Sequence, residues 1–243
     1  MFEKKKAMVG ANVLNRFISN EKWDMAIEYT RSYPREARSW STRPGFFEGV
    51  KESTVLPIHA ASALHPPVEI INVLCAAYPE SLKLTESAYR RNALHIACRS
   101  QASAEVVKAL MEYGPEAAVT DDSLGRLPIH YALSNAATDE VILIMLKKYP
   151  GTARCTDTRG WLPIHVACSV GSSLEVVKAL LDAYPESVTL RTSKGNTPLA
   201  CTNLLRSAKR NEEVVQMLEV ASAKQNSNYR PPPKRPTSIP TLV

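Results

Sequence analysis

The chain lacks a long apolar run. Its longest, residues 141–146, is far short of the roughly 20 residues needed to cross a bilayer, so no membrane span is expected. A secretory leader is not expected either, because the stretch after Lys4, Lys5 and Lys6 is broken by Asn12, Asn15 and Arg16. Cysteine is sparse and odd in number: Cys75, Cys98, Cys155, Cys168 and Cys201 among 243 residues. That count does not make a disulfide framework and points to packed thiols in a reducing compartment, cytoplasmic or nuclear. Also missing are a Ser-His-Asp set, a glycine loop for phosphate and a paired-carboxylate motif. These gaps turn the reading away from chemistry, and no cofactor is expected.

Charge excludes less than its total suggests. The net charge is +6, but residues 51–224 hold 18 basic and 18 acidic side chains and cancel. The excess sits in residues 1–50 (9 basic, 6 acidic) and 225–243 (3 basic, none acidic). Basic ends are weak grounds for nucleic-acid binding, and nucleic acid is not the expected partner.

What is present is a repeat. Leu-Pro-Ile-His-Ala-Ala (56–61), Asn-Ala-Leu-His-Ile-Ala-Cys (92–98), Leu-Pro-Ile-His-Tyr-Ala (127–132) and Leu-Pro-Ile-His-Val-Ala-Cys (162–168) place His59, His95, His130 and His165 36, 35 and 35 residues apart. A decayed copy, Thr-Pro-Leu-Ala (197–200), puts Ala200 a further 35 on. Each phrase is followed by a Glu-plus-apolar run ending at Pro79, Pro115, Pro150 or Pro185, again stepping by 36, 35 and 35. Two markers holding one period mean one supersecondary unit stacked on itself.

Each unit reads as two short antiparallel helices. Pro57, Pro128 and Pro163 suit a first helical turn, whose N–H has no intrahelical partner. Val176, Val177, Leu180 and Leu181 have helical spacing, and the closing X-Pro pair ends the second helix. Gly125, Gly160 and Gly195, just ahead of the next phrase, permit the positive φ of a tight turn.

These residues, Gly-x-x-Pro-Leu/Ile-His-x-Ala followed by Glu-Val-Val-x-x-Leu-Leu, resemble the ankyrin repeat, normally about 33 residues long. The resemblance implies an all-α ankyrin-type solenoid. The present period is 35, so about two residues are added per unit, expected in the loops. Leu56, Leu127 and Leu162 stand where the family has a helix-capping threonine, a loss of about 1 kcal/mol per site. Burial of each leucine against the neighbouring unit, about 1.5–3 kcal/mol, offsets it. Only Asn92 and Thr197 keep a capping side chain. Three regions are expected: residues 1–50 as a basic segment with a capping helix pair over 11–34, residues 51–224 as the repeat array, and residues 225–243 as a disordered, proline-rich basic tail. About ten extra residues fall near 41–50, and three more near 206–211 in a slipped last copy.

The resemblance further implies that the motif histidines are structural, each bonding turn backbone of its own or the next unit. Helices about 8–10 Å apart also make a metal shared between successive repeats an unfavourable reading, so no metal is expected. His65, before Pro66-Pro67, has no ligand partners nearby. Cys155, flanked by Arg154 and Asp157, is the one cysteine in a turn-like segment and the alternative reading as a reactive thiol.

By the same resemblance the turn tips and first helices form a concave binding surface for a protein. Three columns map onto it. Four residues before each histidine stand Val55, Arg91, Arg126, Trp161 and Asn196; six before, Ser53, Tyr89, Leu124, Arg159 and Lys194; four after, Ala63, Arg99, Ser134 and Ser169. Arginine and aromatics are enriched at binding hot spots, which makes Tyr89, Arg91, Arg99, Leu124, Arg126, Arg159, Trp161, Lys194 and Asn196 the candidate contacts, facing an acidic partner surface. In the tail, Arg230, Pro233 and Pro236 fit a ligand for Src-homology-3-type domains, and Thr241 with Val243 resembles a carboxyl-terminal ligand for PDZ domains. Lys234-Arg235 is an alternative nuclear-import signal. The function so implied is a non-enzymatic adaptor; a regulatory segment controlling an associated enzyme or channel, or a thiol or metal enzyme, are the alternatives.

Overall fold

A computed structural model describes residues 13–46, 51–204 and 211–228. Among the described residues are twelve helices, of which α3 to α11 keep the expected period: α1 (13–19), α2 (Trp23–Ser32), α3 (Pro57–Ser62), α4 (Val68–Ala77), α5 (Ala93–Arg99), α6 (Ala104–Tyr113), α7 (Pro128–Ser134), α8 (Asp139–Lys148), α9 (Pro163–Val170), α10 (Leu174–Ala183), α11 (Pro198–Cys201) and α12 (Glu212–Asn228). The short helices α3, α5, α7, α9 and α11 pack successively as an inner layer, and α2, α4, α6, α8, α10 and α12 do so as an outer layer. Each helix shields the next, so the core is a continuous seam rather than one central cluster. It runs from Leu14 and Ile18 to Val214 and Leu218.

The start of each inner helix follows from the sequence. Pro57, Pro128 and Pro163 occupy its first turn. Asn92 and Thr197 accept from the backbone N–H groups of His95 and Ala200. Leu56, Leu127 and Leu162 cannot cap, and all three are buried, as expected. Ser103, Thr138 and Ser173 cap the outer helices α6, α8 and α10, accepting from N–H groups three residues on.

The end of each outer helix is more ordered than a loop. The X-Pro pair stops the α-helix, and the proline then opens a single 3-10 turn: Pro34–Arg38, Pro79–Lys83, Pro115–Val119, Pro150–Arg154 and Pro185–Thr189. Proline can start such a turn because its missing N–H is unneeded there. One packing exchange stands out. Where four of these stops read Tyr-Pro, the third reads Gly114-Pro115. A Cβ on Gly114 would lie 2.7 Å from Leu82 Cβ. Leu82 occupies a position held by Ala37, Ala118 and Ala153 in other units, so a large residue in one turn is matched by the smallest in the next.

Two features depart from the expectation. Residues near 41–50 do not simply lengthen a loop. β1 (Ser41–Arg43) pairs antiparallel with β2 (Ser53–Val55), Thr42 opposite Thr54, so the solenoid carries a short hairpin; residues 47–50 lie outside the described residues. Helix α12 also runs to Asn228, taking in the first four residues of the tail expected from 225. Proline first appears at Pro231, so nothing in 225–228 breaks the helix.

Candidate interaction surface

Three of the turn tips are built around one acidic residue each. Asp157 Oδ1 accepts from the N–H groups of Arg159 (2.8 Å) and Trp161 (2.9 Å). Asp122 Oδ1 does the same for Leu124 (2.8 Å) and Arg126 (2.9 Å). Glu86, one carbon longer, reaches the N–H groups of Ala88, Tyr89 and Arg91 and accepts from the Ser53 hydroxyl. In the last unit Thr192 Oγ1 accepts from Asn196 N–H. Gly125, Gly160 and Gly195 take φ of +69°, +72° and +82°, and Arg90 takes +58° at the equivalent place. Adjacent tips are stitched together: Ser123, Thr158 and Ser193 N–H groups donate to the carbonyls of Tyr89, Leu124 and Arg159. Sequence reasoning passed over Glu86, Asp122 and Asp157, although their own spacing of 36 and 35 marks them.

Beneath the tips the histidines act as clips. Backbone N–H groups of Leu56, Leu127 and Leu162 donate to Nδ1 of His59, His130 and His165, each at 3.1 Å. Asn92 N–H does so to His95 at 3.3 Å. At His59, His130 and His165 the proton therefore sits on Nε2, which donates to the carbonyls of Leu84, Trp161 and Leu190, each at 3.1 Å; His95 Nε2 lies 2.9 Å from the Arg126 carbonyl, and its Nδ1 also lies 2.8 Å from Asn92 Oδ1. Burial pushes His59 and His95 down to about 4, against the opposing pull of those carbonyls. His130 and His165 are lowered for the same first reason. Both nitrogens of each ring are engaged, so no lone pair is directed at a metal or a substrate.

The candidate contacts do not share one environment. Arg126, Arg159, Trp161 and Lys194 line one open cleft of about 470 Å³ with Val166, Val170, Ser134 and Ser169. Arg159 and Lys194 are exposed at the rim, and Trp161 is half-buried. Arg126 Nε lies 3.6 Å from Asp157 Oδ2, so its charge is partly spent within the chain. Asp157, the one carboxylate lining the cleft, is buried and already accepts two N–H bonds.

Arg91 is a correction. It is only 2% exposed and cannot anchor a partner. Its Nε donates to Tyr131 Oη at 2.9 Å, and Tyr131 donates on to Asp122 Oδ2 at 2.7 Å. The guanidinium also stacks on Tyr89 at 4.3 Å and Tyr131 at 5.1 Å. The cause lies in the next unit. The residue after the histidine is Tyr131 beneath Arg91 but Val166 beneath Arg126, and only the tyrosine is large enough to cover the arginine above it. Burial first, with the bond to Asp122, pushes the Tyr131 phenol up to about 12.

Arg99 is separated too. It lines another hollow, about 360 Å³, with Arg43, Pro44, Gly45, Phe46, Ala63 and Leu64. Ala63 and Arg99 belong to the column that continues as Ser134 and Ser169, so the chain's own segment 43–46 borders the first part of that column. Tyr89 stays half-buried beneath the Arg91 guanidinium. Leu124 is exposed, and Asn196 is half-buried; neither lines the cleft. Arg230, Pro233, Pro236, Thr241 and Val243 lie outside the described residues. Cys155 is the exposed thiol while Cys75, Cys98, Cys168 and Cys201 are buried. Burial and the nearby Asp121 raise its pKa, which disfavours a reactive thiolate.

Family models agree with this architecture. Ankyrin repeats (3 copies) match residues 58–153, and ankyrin repeats (many copies) match residues 151–200. The chain belongs to the ankyrin repeat family, whose repeats are generally protein–protein interaction modules. A comparison with curated proteins gives no match. Among the described residues no helix is long and apolar enough to cross a membrane.

Proposed function

We propose that this chain is a non-enzymatic adaptor that holds a partner protein on its concave face. The carrying observation is the cleft that joins Arg126, Arg159, Trp161 and Lys194 from three successive turn tips. Stacking and the histidine clips fix these tips before binding, so little ordering entropy is lost on association. The rim bears two exposed cations, which suits an acidic partner surface. A catalytic role draws no support from the histidines, whose nitrogens are all engaged. Four packed thiols are in keeping with a reducing compartment, cytoplasm or nucleus.

The experiment is affinity purification from the native cell with wild-type chain and with Arg159→Glu/Lys194→Glu. A partner retained by the wild type and lost from the variant, with an unchanged circular dichroism melt, is the expected result. A partner set that is the same for both would refute the reading.

A further inference from the structure

The cleft has a polarity that defines its occupant more closely than an acidic surface. Its floor is apolar: the Trp161 indole, Val166, and Val170, which is 40% exposed. Its rim is cationic at Arg159 and Lys194, one at each of two neighbouring tips. Neither forms an ion pair with another described residue, whereas Arg126 is matched by Asp157. The hydroxyls of Ser134 and Ser169 line the same cleft. Toward the amino terminus the equivalent tip arginine, Arg91, is buried, and the separate hollow at Arg99 is lined by the chain's own residues 43–46. The open stretch therefore extends from the Arg126 tip to the Lys194 tip, two repeat steps. At about 8–10 Å per step this is about 20 Å, the length of about six residues of extended chain at ~3.3 Å each.

We infer that this cleft takes a short, extended acidic peptide of about six residues, with one large apolar side chain on Trp161, Val166 and Val170 and carboxylates flanking it at Arg159 and Lys194. The inference rests on the adaptor reading and narrows it from a protein face to a linear segment of defined chemistry. A flat acidic surface would meet the two rim cations but leave the apolar floor wet. A neutral peptide would leave the rim charges unmatched. An apolar side chain between two acids satisfies both, and exposed ion pairs of this kind weaken with salt.

The test uses the full chain to select from a random dodecapeptide phage library at low ionic strength, followed by fluorescence anisotropy with the selected peptides. Selected sequences should carry a net charge of −2 or more negative around one large aliphatic or aromatic residue. Arg159→Glu/Lys194→Glu should raise Kd at least tenfold, replacing the peptide's apolar residue by Gly should do the same, and 0.5 M salt should weaken binding several-fold. Selected peptides that are neutral or basic, or a Kd moved less than twofold by the double charge reversal, would overturn the inference. Neutral peptides that still compete for the cleft, losing affinity in Trp161→Ala with an unchanged melt, would overturn it while leaving the adaptor reading intact. Failure to select any peptide would overturn the inference alone, and peptides indifferent to both chain variants and to the glycine replacement would overturn both.

Discussion

The two ends of the concave face use the same repeat position to opposite ends. Four residues before the histidine, Arg91 and Arg126 are equivalent, and each faces an aspartate of the next unit, Asp122 or Asp157. Arg91 is sealed beneath Tyr131 and packed on Tyr89, while Arg126 is about a third exposed at the edge of an open cleft. Beside the earlier units residues 43–46 share a hollow with Ala63, Leu64 and Arg99; no described segment does so beside the later ones. A column in the repeat thus specifies where a side chain starts, and its neighbour one unit on decides whether it becomes core or contact.

The largest effect expected from breaking this contrast is at Arg91. Arg91→Ala strips a fully buried aspartate and tyrosine of their partner and should cost about 3–5 kcal/mol. Arg126→Ala, partly solvated, should cost less than about 1 kcal/mol. Urea denaturation of the two variants measures the difference directly, and equal costs would erase the distinction between the halves. A charge-reversal test of binding should accordingly leave Arg91 untouched.

Acid should act on both halves, since both carry the same clip. Burial holds His59 and His95 at about 4 in the folded chain, below about 6.5 in an unfolded one. Folding favours the neutral ring, so this stability is complete above about pH 6.5 and is lost as pH falls toward 4. Each clip is worth on the order of 3 kcal/mol at most. Thermal melts should show a steep fall in Tm between pH 6.5 and 4.5, and a flat profile would contradict the buried neutral rings.

A smaller effect sharpens the packing side of the comparison. Gly114→Ala should cost about 1–3 kcal/mol because its Cβ collides with Leu82. Adding Leu82→Ala should recover part of that cost, so the double-mutant cycle should show coupling; additive costs would deny the exchange. Smallest is the effect of alkylation. Iodoacetamide should label one thiol of the native chain, Cys155, slowly and with no change in Tm, and all five only after denaturation; fast labelling of two or more would contradict the packing of the others.

Most of the scaffold could be read from the chain because its determinants are local. The proline in the first turn, the X-Pro stop, the glycine at the tip and the buried Leu56, Leu127 and Leu162 each act within a few residues. What escaped reading depends on distant partners. Pairing of Ser41–Arg43 with Ser53–Val55 has no strong local signature. The fate of Arg91 is settled by Tyr131, forty residues away. The 3-10 turns needed only the observation that a proline which ends one helix can open another. Glu86, Asp122 and Asp157 were visible as a period but outweighed by the histidines. Of the candidate site, Arg126, Arg159, Trp161 and Lys194 come from two of the columns and line one cleft, while the burial of Arg91 depends on side-chain volume from the next unit.

Hydrogen exchange read by mass spectrometry, with and without a selected acidic peptide, tests the central claim most directly. The account predicts new protection confined to residues 124–134, 157–170 and 190–196, with 41–46, 53–64 and 89–99 unchanged. Protection centred on the earlier segments, or spread evenly along the array, would contradict it.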